Sequence, residues 1–170
     1  MIQFRHGFYA DVRTEDRSRT TITYKSGALE EMKTRVERRA FIRVYDGKMW
    51  YYSSVTDLAH LQKTLDGLYD AATPNADIQN DPVVRRFERN RDTLLSFADS
   101  SVRDIPSKDK QALLLSYLPL LSEDSCVTMP RGTYLDRNSL FRFRSSLGAD
   151  ITYDYQTCGL SFSCDMTEGE

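Results

Sequence analysis

The sequence predicts an α+β fold, with antiparallel hairpin or meander sheets at both ends of the chain and two main helices, at about residues 56–72 and 107–121, packed on them. Two observations carry this prediction. Apolar and polar residues alternate with the period of a strand near both ends, and leucines recur at helical spacing between them. We treat residues 1–170 as a single domain with two parts, 1–73 and 93–170, joined by the connector 74–92.

The first third of the chain predicts strands joined by tight turns. Phe8, Ala10 and Val12 alternate with polar neighbours, and Ser26-Gly27 is a turn signal. Asp46-Gly47, between FIRVY and KMWYY, is the strongest hairpin signal in the chain. The stretch YADVRTEDRSRTTITYKSGALEEM (residues 9–32) is rich in charges, and we expect these charges at bends and on a solvated sheet face.

The first predicted helix begins after a good N-cap residue, Thr56, with Asp57 at the positive end of the helix dipole. Its apolar positions keep helical spacing and should pack across the sheet. They are Leu58, Leu61, Leu65, Leu68 and Ala72. The connector that follows contains Pro74 and Pro82, and we expect a short helical turn around residues 83–87.

The second predicted helix starts near Ser107, and Pro119 should kink it or end it. Its expected buried residues are Leu114, Tyr117, Leu118 and Leu121. Three alternating runs then predict an antiparallel meander with one buried face. Their inward residues are Phe141 and Phe143, then Ile151, Tyr153 and Tyr155, then Cys158, Leu160, Phe162, Cys164 and Met166.

Composition disfavours several classes of protein. The chain has 23 Lys and Arg against 25 Asp and Glu, a net charge of −2, so a nucleic-acid partner is not expected. No segment approaches the roughly 20 apolar residues that span a bilayer, and the N-terminus lacks an apolar signal region. Three cysteines are an odd number for a secreted disulfide framework. We therefore expect a cytoplasmic protein without a membrane partner.

The sequence predicts no catalytic, cofactor-binding or metal-binding residues in this chain. No G-x-G-x-x-G, Walker A or G-x-S-x-G motif is present. His6 and His60 have no His or Cys at ligand spacing, and His60 should lie on the solvent side of its helix. Cys158 and Cys164 are too far apart along one strand to bind the same metal ion. Because a free cysteine behaves as a small hydrophobic residue, we expect both to be buried.

Two clusters are candidates for binding instead. The basic run RRFERNR contains Arg85, Arg86, Arg89 and Arg91 and fits a solvated connector or an interface with an acidic partner surface better than a nucleic-acid site. The aromatic run Trp50, Tyr51 and Tyr52 is also a candidate binding surface, but not all three rings can belong to it. Successive strand residues face opposite sides, so at least one of these rings should be in the core.

The motifs and their order resemble the N-terminal domain of the TldD/PmbA family of zinc-dependent peptidases, first described as modulators of DNA gyrase. The resemblance rests on YADVR, on a strand ending in G-x-L-E, on the I-R-V…D-G-x-W hairpin and on VTDL before the first helix. VRDIPSKDKQALLLSYL is similar to a helix start of the family and places the chain nearer the TldD branch, and LSFSCDMTEGE is similar to a strand before an acidic, glycine-containing break.

This resemblance implies a non-catalytic N-terminal half that supports assembly and helps enclose the chamber where peptides are cut. The family's signature H-E-x-x-x-H is absent from these residues, so the resemblance implies zinc and catalysis only in a C-terminal half. The implied partners are that C-terminal peptidase domain, a TldD/PmbA-type chain in a homo- or heterodimer, and a peptide substrate.

Three features depart from the family pattern. The helix that usually precedes YADVR is missing, Phe41 and Tyr51 stand where relatives have small residues, and Pro119 interrupts a helix that relatives continue. Two alternatives stay open: a free-standing interaction or scaffold module resembling the catalytically silent PmbA-type partner, and an unrelated small enzyme whose site is assembled from scattered Asp, Tyr and Arg residues.

Overall fold

The structure, a computed structural model, describes residues 2–123 and 125–167. Its regular elements are, in chain order, β1 (Tyr9–Lys25), β2 (Ala28–Tyr45), β3 (Trp50–Val55), α1 (Leu61–Ala71), β4 (Arg91–Leu94), α2 (Ser107–Tyr117), β5 (Arg131–Ser145) and β6 (Asp150–Ser163). Within the described residues the strands form one mixed sheet in the order β3-β2-β1-β5-β6-β4. The predicted α+β class is confirmed, although the strands near both ends of the chain share this sheet instead of forming separate ones.

The chain divides into two compact units. The first unit consists of Met1–Asp16, Glu37–Ser96 and Leu140–Asp154, and the second unit of Arg17–Val36, Phe97–Ser139 and Tyr155–Glu170. The boundary proposed from the sequence at residues 74–92 stays a prediction. In the part of the chain that the structure describes, neither helix is long and apolar enough to cross a membrane.

Both turns predicted in the first third are confirmed. Ser26 and Gly27 have φ angles of 48° and 79°, left-handed backbone conformations that are typical of the tight turn here between β1 and β2. In the next hairpin, the Asp46 carboxylate accepts hydrogen bonds from the backbone N–H groups of Lys48 and Met49, both at 2.8 Å. The β2–β3 pairing that follows is antiparallel.

Helix α1 covers one face of the strands in the first unit, as its leucine spacing predicts. Leu61 and Leu65 are buried against a cluster that includes Ala10 and Ile42, while Leu58, Leu68 and Ala72 pack at its margin. The helix start differs from the prediction. The Asp57 carboxylate, and not Thr56, caps a 3₁₀ turn at Leu58–His60, and α1 begins only at Leu61.

The connector covers one end of the opposite face in the first unit. A 3₁₀ turn at Val84–Arg86 confirms the short helical turn expected there, and a second one lies at Ile78–Asn80. Ile78 and Val84 are buried with Tyr9 and Tyr45 in a second apolar cluster. Strand β1 is therefore buried on both faces at its N-terminal end, where simple alternation predicts only one.

In the second unit, α2 packs on the sheet through Leu114, which is fully buried with Ile22, Tyr24 and Tyr134. As predicted, Pro119 ends the α-helix, since α2 stops at Tyr117 and a 3₁₀ turn follows at Leu118–Ser122. The predicted burial of Tyr117 is wrong, because 45% of it is exposed.

Lys110 is buried on the sheet side of α2, one turn before Leu114, although its burial was not predicted from the sequence. Its Nζ lies 2.5 Å from a carboxylate oxygen of Asp136 and donates to the Thr20 hydroxyl at 3.3 Å. The same carboxylate accepts hydrogen bonds from the Thr20 backbone N–H at 3.0 Å and from the Tyr134 hydroxyl at 2.9 Å. A helix turn separates Lys110 from Leu114, so both side chains face the sheet.

The closing strands differ from the predicted meander of three runs. Residues 150–163 form one continuous strand, and Tyr155 and Cys158 on it are exposed, so the prediction of a single buried face is wrong there. The short strand β4 pairs parallel with β6, with Arg91 opposite Asp150 and Leu94 opposite Tyr153. Residues 168–170, in the predicted acidic break, lie outside the described residues.

Candidate functional site

The histidines and cysteines do not form a site in the structure. His6 and His60 are exposed, and Nδ1 of His60 lies 2.8 Å from the carboxylate of Asp57, three residues earlier. Cys164 is half-buried, but Cys158 is exposed, which corrects its predicted burial. Among residues 2–123 and 125–167, no three His, Cys, Asp or Glu side chains converge as a metal ion requires.

The basic run lies on the connector surface. Arg85, Arg86 and Arg89 are exposed, and Arg85 and Arg89 line a shallow depression of about 260 Å³. Arg91 begins strand β4 and donates from Nε to the Gly148 carbonyl at 2.8 Å. Three of these four arginines are thus available to a ligand, and the fourth supports a loop.

The aromatic run Trp50–Tyr52 is divided between two faces, as predicted. Trp50 stacks on Tyr45 with ring centroids 4.8 Å apart and belongs to the cluster under the connector. Tyr51 packs on the α1 side, and its hydroxyl donates to Asp46 at 3.2 Å. Tyr52 is 68% exposed and lies beside Phe41, 6.1 Å between centroids.

The charged residues of the opening stretch are not all solvated, which corrects that expectation. Asp11 is 2% exposed, and its carboxylate accepts three hydrogen bonds of 2.6–3.2 Å from the Arg43 guanidinium. Glu15 is also buried and receives Arg39 Nε at 2.6 Å. These carboxylates are buried because the facing strand supplies an arginine to each, an arrangement that composition cannot reveal.

The electrostatics of this cluster follow from burial and pairing. Hydrogen bonding to Asp11 raises the pKa of Arg43 above its ordinary value, so this arginine stays charged. Burial, with the Asp11 charge nearby, raises the pKa of Tyr9, so its hydroxyl stays neutral. The Arg43 guanidinium also lies 4.8 Å from the centre of the Trp50 ring, in a cation–π contact. The cluster thus combines a charged guanidinium with a neutral phenol hydroxyl.

Beyond the connector, the same face of the first unit is open. We name it the open face and define it by Arg13, Phe41, Tyr52, Phe141 and Tyr153. A cleft of about 330 Å³ lies on it, lined by Arg13, Glu15, Arg39, Ala40, Phe41, Ser54 and Phe141. Phe141 stacks on Tyr153 at 4.9 Å, and Arg13 lies over Phe143 at 5.7 Å.

The open face combines flat aromatic surface with arginine donors and lacks an acid–base pair. Such a surface suits contact with an extended chain, whose side chains meet rings while its carbonyl groups meet N–H donors. Sequence reasoning identified Tyr52 and Phe41 separately but not the face, because Phe141 and Tyr153 reach it only through the strand order. The alternation of β5 and β6 was the one available signal.

Comparison with protein families gives one match. Residues 10–72 match the family described as PmbA/TldA metallopeptidase domain 1, a segment that runs from β1 through α1. A comparison with curated proteins gives no match.

Three solved structures share the fold. A protein of Bacteroides thetaiotaomicron named as a "putative modulator of DNA gyrase" has a TM-score of 0.71 and 17% identity, over 95% of this chain and 38% of that one. A protein of the same description from Thermotoga maritima has a TM-score of 0.68 and 16% identity, over 93% and 35%. TldE from Thermococcus kodakarensis has a TM-score of 0.66 and 9% identity, over 95% and 37%. The chain thus spans little more than a third of the length of each.

Proposed function

We propose that this chain, a member of the PmbA/TldD family through the domain matched over residues 10–72, is the non-catalytic part of a zinc-dependent peptidase. In this proposal the chain supports assembly of the peptidase and forms part of the wall of the chamber that encloses the peptide, but it does not contribute to the active site. The family match is the observation that carries the proposal. The placement nearer the TldD branch stays a prediction that rests on residues 102–118, and so does the cytoplasmic location.

The proposal places zinc and catalysis in a C-terminal half of the protein. The described residues offer no set of ligands that fits zinc, so no step of the reaction is assigned to them. The structural neighbours are more than twice as long as the stretch aligned here, which leaves room in proteins of this fold for such a half.

The open face supports the role of a wall. Phe41 and Tyr52 are 41% and 68% exposed on a sheet whose opposite face is closed by α1, so peptide contact on this side disturbs no core. The family resemblance implies a small residue at the position of Phe41. Its ring narrows the cleft without filling the core, and we expect it to restrict which peptide side chains pass.

Helix α2 supports the role in assembly. Leu113 and Tyr117 lie one turn apart on α2 and are 47% and 45% exposed, and Leu120, in the 3₁₀ turn that follows the helix, is 61% exposed, so the three form an apolar stripe on the surface. Exposed apolar stripes of this kind are typical of surfaces that another chain covers. We expect this stripe to contact the C-terminal half or a TldD/PmbA-type partner chain.

The proposal is tested on the product of the complete reading frame. We expect that frame to continue into H-E-x-x-x-H and its zinc-loaded product to cleave an unstructured peptide, while the 170-residue chain does not. Peptide cleavage by the zinc-loaded 170-residue chain alone would overturn it. A frame without the signature, in a protein that assembles with a peptidase chain, would instead support the free-standing interaction module.

The wall itself is tested by Tyr52→Ala in that product. Loss of a peptide contact should raise KM several-fold at unchanged kcat, because the removed contact binds ground state and transition state alike. Met49→Ala, at a residue that is 61% exposed and is not part of the open face, is the matched control. Equal KM values for both variants would argue against peptide contact at the open face.

A further inference from the structure

The β1–β2 ribbon of the second unit carries a separate cleft that none of the roles above uses. Its lining residues are Arg19, Thr21, Glu31, Lys33 and Arg35, and its volume is about 220 Å³. We name it the basic cleft. Its four charged side chains are exposed, and Thr21 is half-buried. Three cations stand here against one carboxylate in a chain whose net charge is −2.

The strand register sets like charges against each other in this cleft. The Thr20 and Thr34 hydroxyls lie 3.2 Å apart across the ribbon, so antiparallel pairing places Arg19 opposite Arg35 and Thr21 opposite Lys33. Like charges in directly opposite positions destabilise a pair of strands. The arrangement therefore weakens the ribbon unless an anion lies between these side chains.

The basic cleft differs from the surroundings of Arg131 and Arg137 in the same unit, whose guanidinium groups have partners; Arg137 donates to the Ser139 hydroxyl. Arg131 holds Glu30 at 2.8 Å. Throughout residues 2–123 and 125–167, no carboxylate lies within ion-pair distance of Arg19, Lys33 or Arg35. These three cations are free to meet an anion from outside the chain.

We propose that the basic cleft binds carboxylate side chains of an acidic peptide segment; this deepens the proposed function by naming the class of peptide and rests on it. Two guanidinium groups facing each other can each hold a carboxylate through paired N–H donors, and the Thr21 hydroxyl adds a further donor. None of the five residues that line the cleft is aromatic, so a nucleic-acid base has no ring there on which to stack.

The test measures binding of a fluorescent peptide of alternating Glu and Ser to the 170-residue chain, beside its Gln-for-Glu counterpart, by anisotropy. The Glu peptide should bind at least about tenfold tighter, and added salt should weaken it selectively. Arg19→Gln with Arg35→Gln should remove this preference. Glu31→Gln should strengthen binding, because it removes the one negative charge in the cleft.

Two controls separate a binding role from a structural one. Arg85→Gln with Arg89→Gln removes two exposed arginines outside the basic cleft and should leave affinity unchanged. Arg19→Gln with Arg35→Gln should keep or raise Tm, since it removes facing like charges. A fall in Tm that accompanies the loss of binding would instead mean that the arginines act through folding, and would overturn the proposal.

The remaining outcomes bear on the acidic preference, on the proposed wall or on both. Equal affinity for the Glu and Gln peptides, insensitive to Arg19 and Arg35, overturns the acidic preference and leaves the proposed wall intact. Absence of binding to either peptide counts against both proposals. Tighter binding of an oligonucleotide of equal charge, dependent on the same arginines, replaces the acidic peptide with a nucleic acid.

Discussion

Substitution of Lys110 by Met tests the account of how α2 is held in the second unit. The Lys110 and Asp136 side chains are 3% and 1% exposed, so the variant leaves a buried carboxylate without its cation. Removing one partner of a buried pair costs about 3–5 kcal/mol. The Thr20 and Tyr134 donors still reach Asp136, so we expect a loss near the lower end, about 3 kcal/mol.

The assay is urea unfolding followed by circular dichroism, with coincidence of a second probe as the check for two-state behaviour. A loss of this size is a large part of the roughly 5–15 kcal/mol that stabilises a typical domain. Lys108→Met is the matched control, because Lys108 is exposed on the same helix, and it should change stability by less than about 0.5 kcal/mol.

A double variant separates the charge from the packing. Lys110→Met with Asp136→Asn removes both charges, while the amide oxygen still accepts from the Thr20 N–H, so it should recover about half of the loss. If Lys110→Met costs no more than its control, or if the double variant is less stable than the single one, the buried pair does not anchor α2 as described.

Three further predictions concern other buried contacts of the fold. Gly132→Ala should cost about 1–3 kcal/mol, because its Cβ would meet Leu side-chain atoms at 2.8 and 3.1 Å, whereas Gly159→Ala, with open space, should cost nothing in the same thermal unfolding assay. Asp46→Asn should flatten the acid limb of the stability–pH curve. Burial alone would raise the Asp46 pKa, but hydrogen bonds from backbone and Tyr51 donors hold it below its ordinary value, so its contribution is present above about pH 4 and is lost as pH falls through the folded-state pKa. Arg43→Lys should cost about 1–3 kcal/mol through lost hydrogen bonds to a buried carboxylate, and should change the fluorescence of the single tryptophan, which the guanidinium covers.

Features set by local chemistry were predictable from the sequence. The leucine spacing of α1, the stop at Pro119 and the turns at Ser26-Gly27 and Asp46-Gly47 depend on residues close together in the chain, and the structure confirms each. The candidate site was not predictable as a whole, because the rings of the open face come from strands far apart in sequence.

The wrong predictions share a physical cause: whether a side chain is buried depends on residues that are distant from it in the sequence. The sequence predicts that Asp11 is solvated. In the structure Arg43 lies beside it and the connector covers the neighbouring surface, so Asp11 is buried. Lys110, for which no burial was predicted, is likewise paired with a residue distant in sequence, Asp136. Conversely, Cys158 has apolar neighbours at strand spacing, yet nothing covers it in the fold. Alternation shows which residues share a face and does not show what covers that face.

The paired and unpaired arginines lead to different conclusions about function. Arg43 and Arg39 each hold a buried carboxylate, so their presence is explained by the stability of the fold itself. Arg19 and Arg35 are exposed on opposite strands, and within residues 2–123 and 125–167 neither forms an ion pair with a carboxylate, so ion pairing within the fold does not account for them. Solubility does not account for them either, because charges of alternating sign would serve it as well without repulsion across the ribbon. A ligand with carboxylate groups would neutralise the repulsion between Arg19 and Arg35. The stability of the Arg19→Gln, Arg35→Gln variant therefore matters as much as its affinity for the Glu peptide. If the arrangement serves ligand binding, the stability of the variant stays the same or rises while its affinity falls.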